Sequence, residues 1–434
     1  MEISSLYHLF QQHPVVTTDS RHCPEGAIFF ALKGENFNGN AFAINALEAG
    51  CSYVVVDEPA YADLSDSRWI VVDDVLKSLQ ALAHYHRRYL GTTIIGITGT
   101  NGKTTTKELM ATVLMQTHRV LYTQGNLNNA IGVPLTLLRL TADHDIAVVE
   151  MGASHPGDIK ELVDIVEPDF GIITNVGMAH LQGFGSFEGV VRTKGELYDY
   201  LRIKHGAKVF VCNDNSYLLQ MAEGLSLIRY GKPDEKTDLW VSGEVVDCTP
   251  FLHFRWRIGK SDWHNVQTNL IGTYNIDNML AAAAVGAYFG VSLMQIDAAL
   301  SGYVPQNNRS QLQNTGRNHL IVDAYNANPT SMMAALLNFR EMKVSPKMVI
   351  LGDMKELGDC SFDEHRKIVE FLQTAGFDYV QLVGSQFAAV TNEYPVCQHV
   401  GEVCDCLRDT NITGFYILIK GSNSMKLSRV LEYL

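Results

Sequence analysis

The 434-residue chain lacks a basic excess, metal-type cysteine pairs and any apolar run of membrane length. Lys and Arg number 34 against 47 Asp and Glu, a net charge of −13. A surface of that sign repels polyanions, so nucleic acid is not the expected partner, although local basic sites for a small anion remain compatible with it. The eight cysteines (Cys23, Cys51, Cys212, Cys248, Cys360, Cys397, Cys404 and Cys406) include no C-x-x-C pair. Cys404 and Cys406 lack the further ligands of a zinc site, and scattered thiols of this kind are expected to stay reduced. The longest run of low polarity, MLAAAAVGAYFGVSLM from Met279, falls short of the ~18–20 residues of a membrane span. The opening MEISSLYHLF has neither a basic leader nor a long apolar core. A soluble, cytoplasmic protein without membrane insertion is expected.

With 46% hydrophobic and 19% charged residues, the chain can bury several cores, and at ~100–200 residues per domain it should form two to four domains. Over 1–90, the strand-like runs GAIFFALKG, CSYVVVDE and RWIVVDD alternate with helical patterns. The last of these helices spans Val75 to Leu90, with Leu76, Leu79, Leu82 and Ala83 on one face and Gly91 as its stop. Over 91–304, IIGITGT, HRVLYTQG, DIAVVEMG, DFGIITNVG and AKVFVCND are apolar runs of strand length separated by helical stretches. That rhythm predicts parallel strands with crossover helices, a doubly wound sheet. Between Leu239 and Gly272 the period falls to two, since Phe254, Trp256 and Ile258 alternate with Arg255 and Arg257, as in a small antiparallel insert. An alanine-rich helix should follow from about Asp277. Over 305–434 the alternation resumes with NHLIVDA, KMVILGD, DYVQLVG and FYILIKG. The fold class is therefore α/β in three domains, with a small N-terminal α/β unit, a central doubly wound unit and a C-terminal Rossmann-like unit.

The stretch ITGTNGKTTTKE, Ile97 to Glu108, follows a β-branched run and precedes a helical pattern. Gly99 and Gly102 allow successive backbone N–H groups, through Thr100, Asn101 and Thr105, to face one anion. Lys103 supplies charge for the outer phosphates and Thr104 a hydroxyl for Mg²⁺. ATP is the implied ligand, the helix that follows adding its positive end. The usual G-x-x-x-x-G-K-S/T formula expects glycine where this chain has Ile97. A phosphoryl-transfer site also needs further metal ligands. Glu150, ending the strand DIAVVEMG, lies at the carboxyl edge where such sheets bind ligands, helix capping being the other role open to a carboxylate there.

GTNGKT with VVEMG resembles the Mur ligases, the amino-acid-adding enzymes of peptidoglycan synthesis, and the likeness extends over most of the chain. The resemblance implies Glu150 as a Mg²⁺ ligand. It implies His180, in ITNVGMAHL, as a ligand of a second magnesium rather than a surface histidine. It implies that Lys194, in TKGELYDYL, reacts with CO₂ to become a carbamate ligand rather than remaining a surface lysine in a helix's first turn. Catalysis would then rest on Lys103, His180 and Lys194. Asn275 and Asn278 in GTYNIDNMLAAAA would begin a helix beside the adenine, with plain capping the other reading for Asn275. Arg309 in NNRSQ and Asp323 would reach the nucleotide's phosphates and ribose from the third domain. Lys420 in KGSNSMKL would approach the γ-phosphate or the reacting carboxylate, or else lie in solvent.

DAYNANPTSM, Asp323 to Met332, and LGDMKELGDCSFDEH, Leu351 to His365, resemble the branch that joins D-alanyl-D-alanine to UDP-N-acetylmuramoyl-tripeptide. Tyr325, Asn326 and Asn328 are the implied peptide contacts. TDSRHCPEGAIFFALKGENFNGNAF resembles the nucleotide-sugar module of the third- and fourth-step ligases. It makes Ser20 and Arg21 candidate contacts, while Asn38 and Asn40 stand where that pattern has Asp and His. The implied reaction phosphorylates the tripeptide carboxylate with ATP and lets the dipeptide amine attack the acyl phosphate, in a monomer. The alternatives are the preceding diamino-acid-adding ligase, whose DYAHTP- and DNPR-type stretches are missing here, and a folylpolyglutamate synthase-like ligase, which the DSR-containing domain disfavours.

Overall fold

The computed structural model describes residues 2–306, 309–391, 393–410 and 412–434. Two compact units emerge, one comprising Met1–Ile97, His118–Gly152 and Asp158–Phe170, the other Thr98–Thr117, Ala153–Gly157 and Gly171–Leu434. Among the described residues no helix is long and apolar enough to cross a membrane.

In the first unit, the short strands Val16–Thr17, Ile28–Phe30, Tyr53–Val56 and Trp69–Val71 form a four-stranded parallel sheet in that order. The helix Val75–Leu90 has the limits its sequence pattern predicts. Asp74 caps it by accepting the Lys77 N–H at 2.9 Å, and Gly91 ends it at φ +66°, a conformation that favours glycine. Leu79, Leu82 and Ala83 are wholly buried, and His86 and Arg87 continue the buried stripe. Arg87 donates to the carbonyls of Val166 and Glu167, each at 2.7 Å. It thereby satisfies the carboxyl end of the helix Asp158–Val166. In the same unit, the strand Ile146–Glu150 pairs in parallel with Thr93–Thr98 on one side and Val120–Tyr122 on the other.

In the second unit, Lys208–Cys212 and Leu227–Gly231 pair in parallel, and Val241–Cys248, Phe251–Ile258 and His264–Ile271 form the antiparallel insert. Phe254 and Trp256 are fully buried, as the two-residue period requires. The phosphate-loop helix, Lys103–Leu114, packs on the alanine-rich helix Ile276–Tyr288. The latter is buried from Met279 to Gly286. A methyl on Gly286 would lie 2.3 Å from Val113 Cγ1, so glycine sets the approach of the two helices. The six-stranded sheet of this unit has the order Gln311–Asn314, His319–Asp323, Tyr416–Lys420, Lys347–Gly352, Tyr379–Val383, Val396–Cys397. It is parallel except for Gln311–Asn314, which pairs antiparallel at its edge.

Candidate active site

Ile97 stands where the common phosphate-loop formula has glycine because residue 97 has not yet left the sheet. It is fully buried in the strand Thr93–Thr98 and pairs with Glu150. The turn begins at Gly99, with φ +139°, where a Cβ would fall 2.1 Å from Thr174 Oγ1. Gly102, at φ +78°, leaves no room either, since its Cβ would lie 2.6 Å from Asn278 Oδ1.

Between these glycines the loop is braced from the ITNV segment. The Asn101 N–H donates to Asn175 Oδ1 at 2.9 Å, while the Asn101 carbonyl accepts from Thr174 Oγ1 at 2.6 Å and Asn175 Nδ2 at 3.0 Å. The Thr100 N–H donates to the Asn175 carbonyl at 2.9 Å, and its hydroxyl accepts the Gly177 N–H at 3.0 Å. Lys103 folds over the loop, donating to the carbonyls of Gly99 (2.7 Å) and Thr100 (3.1 Å). Thr104 and Thr105, which follow in the helix's first turn, are buried.

Asn275 and Asn278 do begin the alanine-rich helix, yet Asn275 does not cap it with its side chain. Its Nδ2 donates to the Ile271 carbonyl at 2.8 Å, and its Oδ1 accepts from Asn278 Nδ2 at 2.8 Å. Asn278 Oδ1 in turn accepts from Thr106 of the phosphate-loop helix at 2.9 Å. The pair therefore ties the two helices together behind the phosphate loop.

His180 takes φ +51° at the head of the one-turn helix Leu181–Phe184. Its Nδ1 lies against a carboxylate oxygen of Glu356, a residue that sequence reading singled out only as part of a block. Burial lowers the His180 pKa below its ordinary value; Glu356 opposes this, and the positive charges of Lys103 and Lys194 add to it. Each of those two lysines therefore lies within electrostatic reach of His180. Lys194 is not in a first turn, nor at the surface. Ser186 caps the helix Phe187–Ile203 by accepting the Gly189 N–H at 3.1 Å, and this places Lys194 mid-helix, 2% exposed. Its ammonium donates to the Ala153 carbonyl at 3.4 Å and stands 5.2 Å from the Phe184 ring centre.

Arg309 lies with its guanidinium 4.0 Å from the Tyr325 ring centre, so two candidate residues stack on each other. Asn307 and Asn308 of the NNRSQ stretch lie outside the described residues. Lys420 is not solvated. It is 1% exposed and pairs with Asp323 at 2.5 Å, the strand register setting the two side by side. Its ammonium also donates to the Asn326 carbonyl at 3.3 Å, and Asn326 Oδ1 accepts the Ala327 N–H at 2.9 Å. Asn328 caps the helix Pro329–Glu341 in a reciprocal box with Ser331 and donates to Asn101 Oδ1 of the phosphate loop at 2.8 Å.

In the first unit, Glu150 is 1% exposed and accepts from Asn128 Nδ2 at 2.8 Å. The sequence pointed to Glu150, but not to Asn128, which sits in an irregular asparagine-rich stretch without a period. Ser20 and Arg21 lie in the loop after Val16–Thr17. Arg21 is exposed and grips Asp19 through two bonds of 2.9 Å, which hold the Asp19 carboxyl at about 2. Asn38 donates to both Glu58 oxygens at 3.1 Å, while Asn40, 1% exposed, donates to Asp57 at 2.9 Å.

Known proteins match this arrangement along the chain. The Mur ligase family, catalytic domain matches 14–87, the Mur ligase middle domain 97–286, and the Mur ligase, glutamate ligase domain 308–410. The UDP-N-acetylmuramoyl-tripeptide--D-alanyl-D-alanine ligase of Bacillus subtilis (strain 168) is 35% identical over 428 residues, covering 96% of this chain and 92% of its own. A crystal structure of MurF from Acinetobacter baumannii superposes with a TM-score of 0.86 at 30% identity, over 96% of this chain and 92% of that one. MurF ligase from Thermotoga maritima, solved in complex with ADP, gives 0.84 at 25% identity, over 96% of both chains. With domain matches in the family's order and relatives alike from end to end, the chain belongs to the Mur ligase family.

Proposed function

We infer that this protein is an ATP-dependent amide ligase that joins D-alanyl-D-alanine to UDP-N-acetylmuramoyl-tripeptide, giving the UDP-pentapeptide, ADP and phosphate for peptidoglycan. The observation that carries the choice of reaction is the seat of DAYNANP. Its Asn328 caps a helix and hydrogen-bonds Asn101 of the GTNGKT loop, which supports a seat for the segment resembling this ligase beside the residues proposed to bind the nucleotide's phosphates. The near full-length likeness to ligases of that name supports the same reading.

ATP first phosphorylates the tripeptide carboxylate, since a carboxylate is a poor electrophile. The dipeptide amine then attacks the acyl phosphate and expels phosphate. Gly99 to Thr105 bind the phosphates, Lys103 neutralising charge on the group in transfer. Asn275 and Asn278 shape the adenine side, and Asp323 and Arg309 the ribose and phosphates. Tyr325, Asn326, Asn328 and Lys420 face the peptide end, with Ser20 and Arg21 serving the UDP-sugar.

The donor set suits magnesium, a hard cation that takes oxygen ligands. Thr104, Glu150 and Lys194 are buried at 4%, 1% and 2% exposure, and Glu150 is oriented by Asn128. Thr104, Glu150, His180 and a carbamate on Lys194 would hold two ions, which when bound neutralise phosphoryl charge. Carbamylation turns a buried ammonium into an anionic oxygen donor of the kind magnesium requires. The separate matches at 14–87, 97–286 and 308–410 support division into 1–90, 91–304 and 305–434. Both ATP and a UDP-sugar are cytoplasmic compounds, so we place the monomeric enzyme there.

The test is phosphate release with Mg²⁺–ATP and UDP-N-acetylmuramoyl-tripeptide, with and without D-alanyl-D-alanine, the product weighed by mass spectrometry. Dipeptide-dependent release with UDP-pentapeptide formed is the expected result. Turnover only with a diamino acid and the UDP-dipeptide would move the enzyme one step earlier.

A further inference from the structure

We propose that Glu356 is a positioning residue for this ligase, holding the His180 ring by Nδ1 so that Nε2 is presented as the ligand nitrogen. The inference rests on the reading of His180 as a magnesium ligand. Nothing in the sequence pattern couples the two residues, which belong to segments matched by different family domains, 97–286 and 308–410.

Three features make the pairing a built one. Both residues occupy the left-handed region that L side chains avoid, His180 at φ +51° and Glu356 at φ +65°. Strain of this kind persists only where the surroundings hold it. The backbones are joined as well, the Gln182 N–H donating to the Glu356 carbonyl at 3.2 Å. The loop that carries Glu356 is pinned just upstream. Asp353, wholly buried, accepts the N–H groups of Gln386 (3.2 Å) and Phe387 (3.1 Å), while the Met354 N–H donates to His365 Nε2 at 3.0 Å. Glu356 thus projects from a loop anchored at Asp353 and Met354.

A carboxylate only accepts hydrogen bonds, so the nitrogen that faces it carries the hydrogen. In a neutral imidazole this leaves the lone pair on Nε2, the form a metal ligand needs. The Phe184 ring fixes the other dimension, standing edge-on to His180 at 6.2 Å and 82° and taking the Lys194 ammonium 5.2 Å from its centre. The ring that orients His180 therefore also walls the lysine proposed to share its metal.

The experiment uses the full chain, ¹⁵N-labelled at histidine, at a pH where the imidazole is neutral, with His180→Ala identifying the His180 signals. The wild type and Glu356→Gln, whose amide oxygen still accepts, should show the Nδ1–H tautomer. Glu356→Ala should shift His180 towards Nε2–H. In parallel, Mn²⁺ binding in the presence of ATP, read by electron paramagnetic resonance, should weaken about 10–100-fold in Glu356→Ala and recover in Glu356→Gln. An unchanged tautomer and unchanged Mn²⁺ affinity in Glu356→Ala would overturn the proposal. If His180→Ala weakens Mn²⁺ binding and Glu356→Ala does not, the positioning role alone fails. If His180→Ala leaves Mn²⁺ binding intact, the metal-ligand reading of His180 fails and the proposal falls with it.

Discussion

Asp277 begins the alanine-rich helix beside Asn275 and Asn278, and it is held there at a cost that depends on pH. Burial pushes its carboxyl up from an ordinary 3.8 to about 6, the Asp214 carboxylate adding to the effect and Lys232 opposing it. The oxygens of Asp214 and Asp277 and the sulfur of Cys212 lie within 4.8 Å of one another. A raised folded-state value means that, between pH 4 and 6, the native chain keeps a proton the unfolded chain has lost. Native stability therefore falls as pH rises through that window and stays reduced above it.

Asp277→Asn keeps the side chain's shape and removes the charge, so it should stabilise the protein at neutral pH. A shift of about two units is worth roughly 3 kcal/mol at ~1.4 kcal/mol per unit. Partial exposure discounts this figure, and loss of a favourable charge at a helix N-terminus removes about 0.3–1 kcal/mol more. A gain of about 1–2 kcal/mol remains, which at ~2–4 °C per kcal/mol corresponds to roughly 2–8 °C in Tm for a domain of this size. Calorimetry of both proteins from pH 4 to 8 provides the assay. The difference in Tm should be small near pH 4, grow to about pH 6 and level off by pH 7. Asp214→Asn, which leaves Asp277 in place, should recover part of the gain. A difference independent of pH, or one that shrinks as pH rises, would refute the argument.

Three further outcomes follow from the site. Asn328→Ala loses both its cap on the helix Pro329–Glu341 and its bond to Asn101, a loss of about 1–2 kcal/mol; a double-mutant cycle with Asn101→Ala should give a coupling of about 0.5–1.5 kcal/mol, and strict additivity would count against the link. Asp323→Ala strands the buried Lys420 ammonium and should destabilise by about 3–5 kcal/mol in urea titration, more than Lys420→Met does; the reverse order would contradict the buried pairing. Protein equilibrated with ¹³C-bicarbonate should show a carbamate resonance that Lys194→Ala lacks, and a wild-type spectrum without it would remove carbamate from the metal site.

Where the chain's own local pattern decides a structure, the sequence was enough. The helix Val75–Leu90 could be read to its last residue because its apolar stripe, its Asp74 cap and its Gly91 stop all act within one turn of the residues they govern. The buried alternation of Phe254 and Trp256 and the turn from Gly99 to Gly102 were legible for the same reason. The edge strand Gln311–Asn314 escaped notice because QLQN, only partly buried, carries no apolar period. Lys194 was misplaced because the glycine and valines of FEGVVR conceal a helix that Ser186 starts eight residues earlier in effect, at the cap.

The site divides along the same line. The residues proposed to face a phosphate form a contiguous motif, since one turn of chain must wrap one anion, and Gly99 to Thr105 could be found as a string. Residues that hold the motif in place come from elsewhere: Asn328 lies 227 positions from the Asn101 it bonds, and Asn278 lies 172 from Thr106. Polar bonds of this kind leave no period, because each needs only one donor and one acceptor brought together by the fold. They also tolerate little substitution, since a buried donor that loses its partner costs about 1–3 kcal/mol. Glu356 is the extreme case. Its carboxylate is largely exposed, as in an ordinary surface glutamate, and what distinguishes it is spatial: the contact with His180 Nδ1, the positive φ shared with His180 and the backbone bond to Gln182.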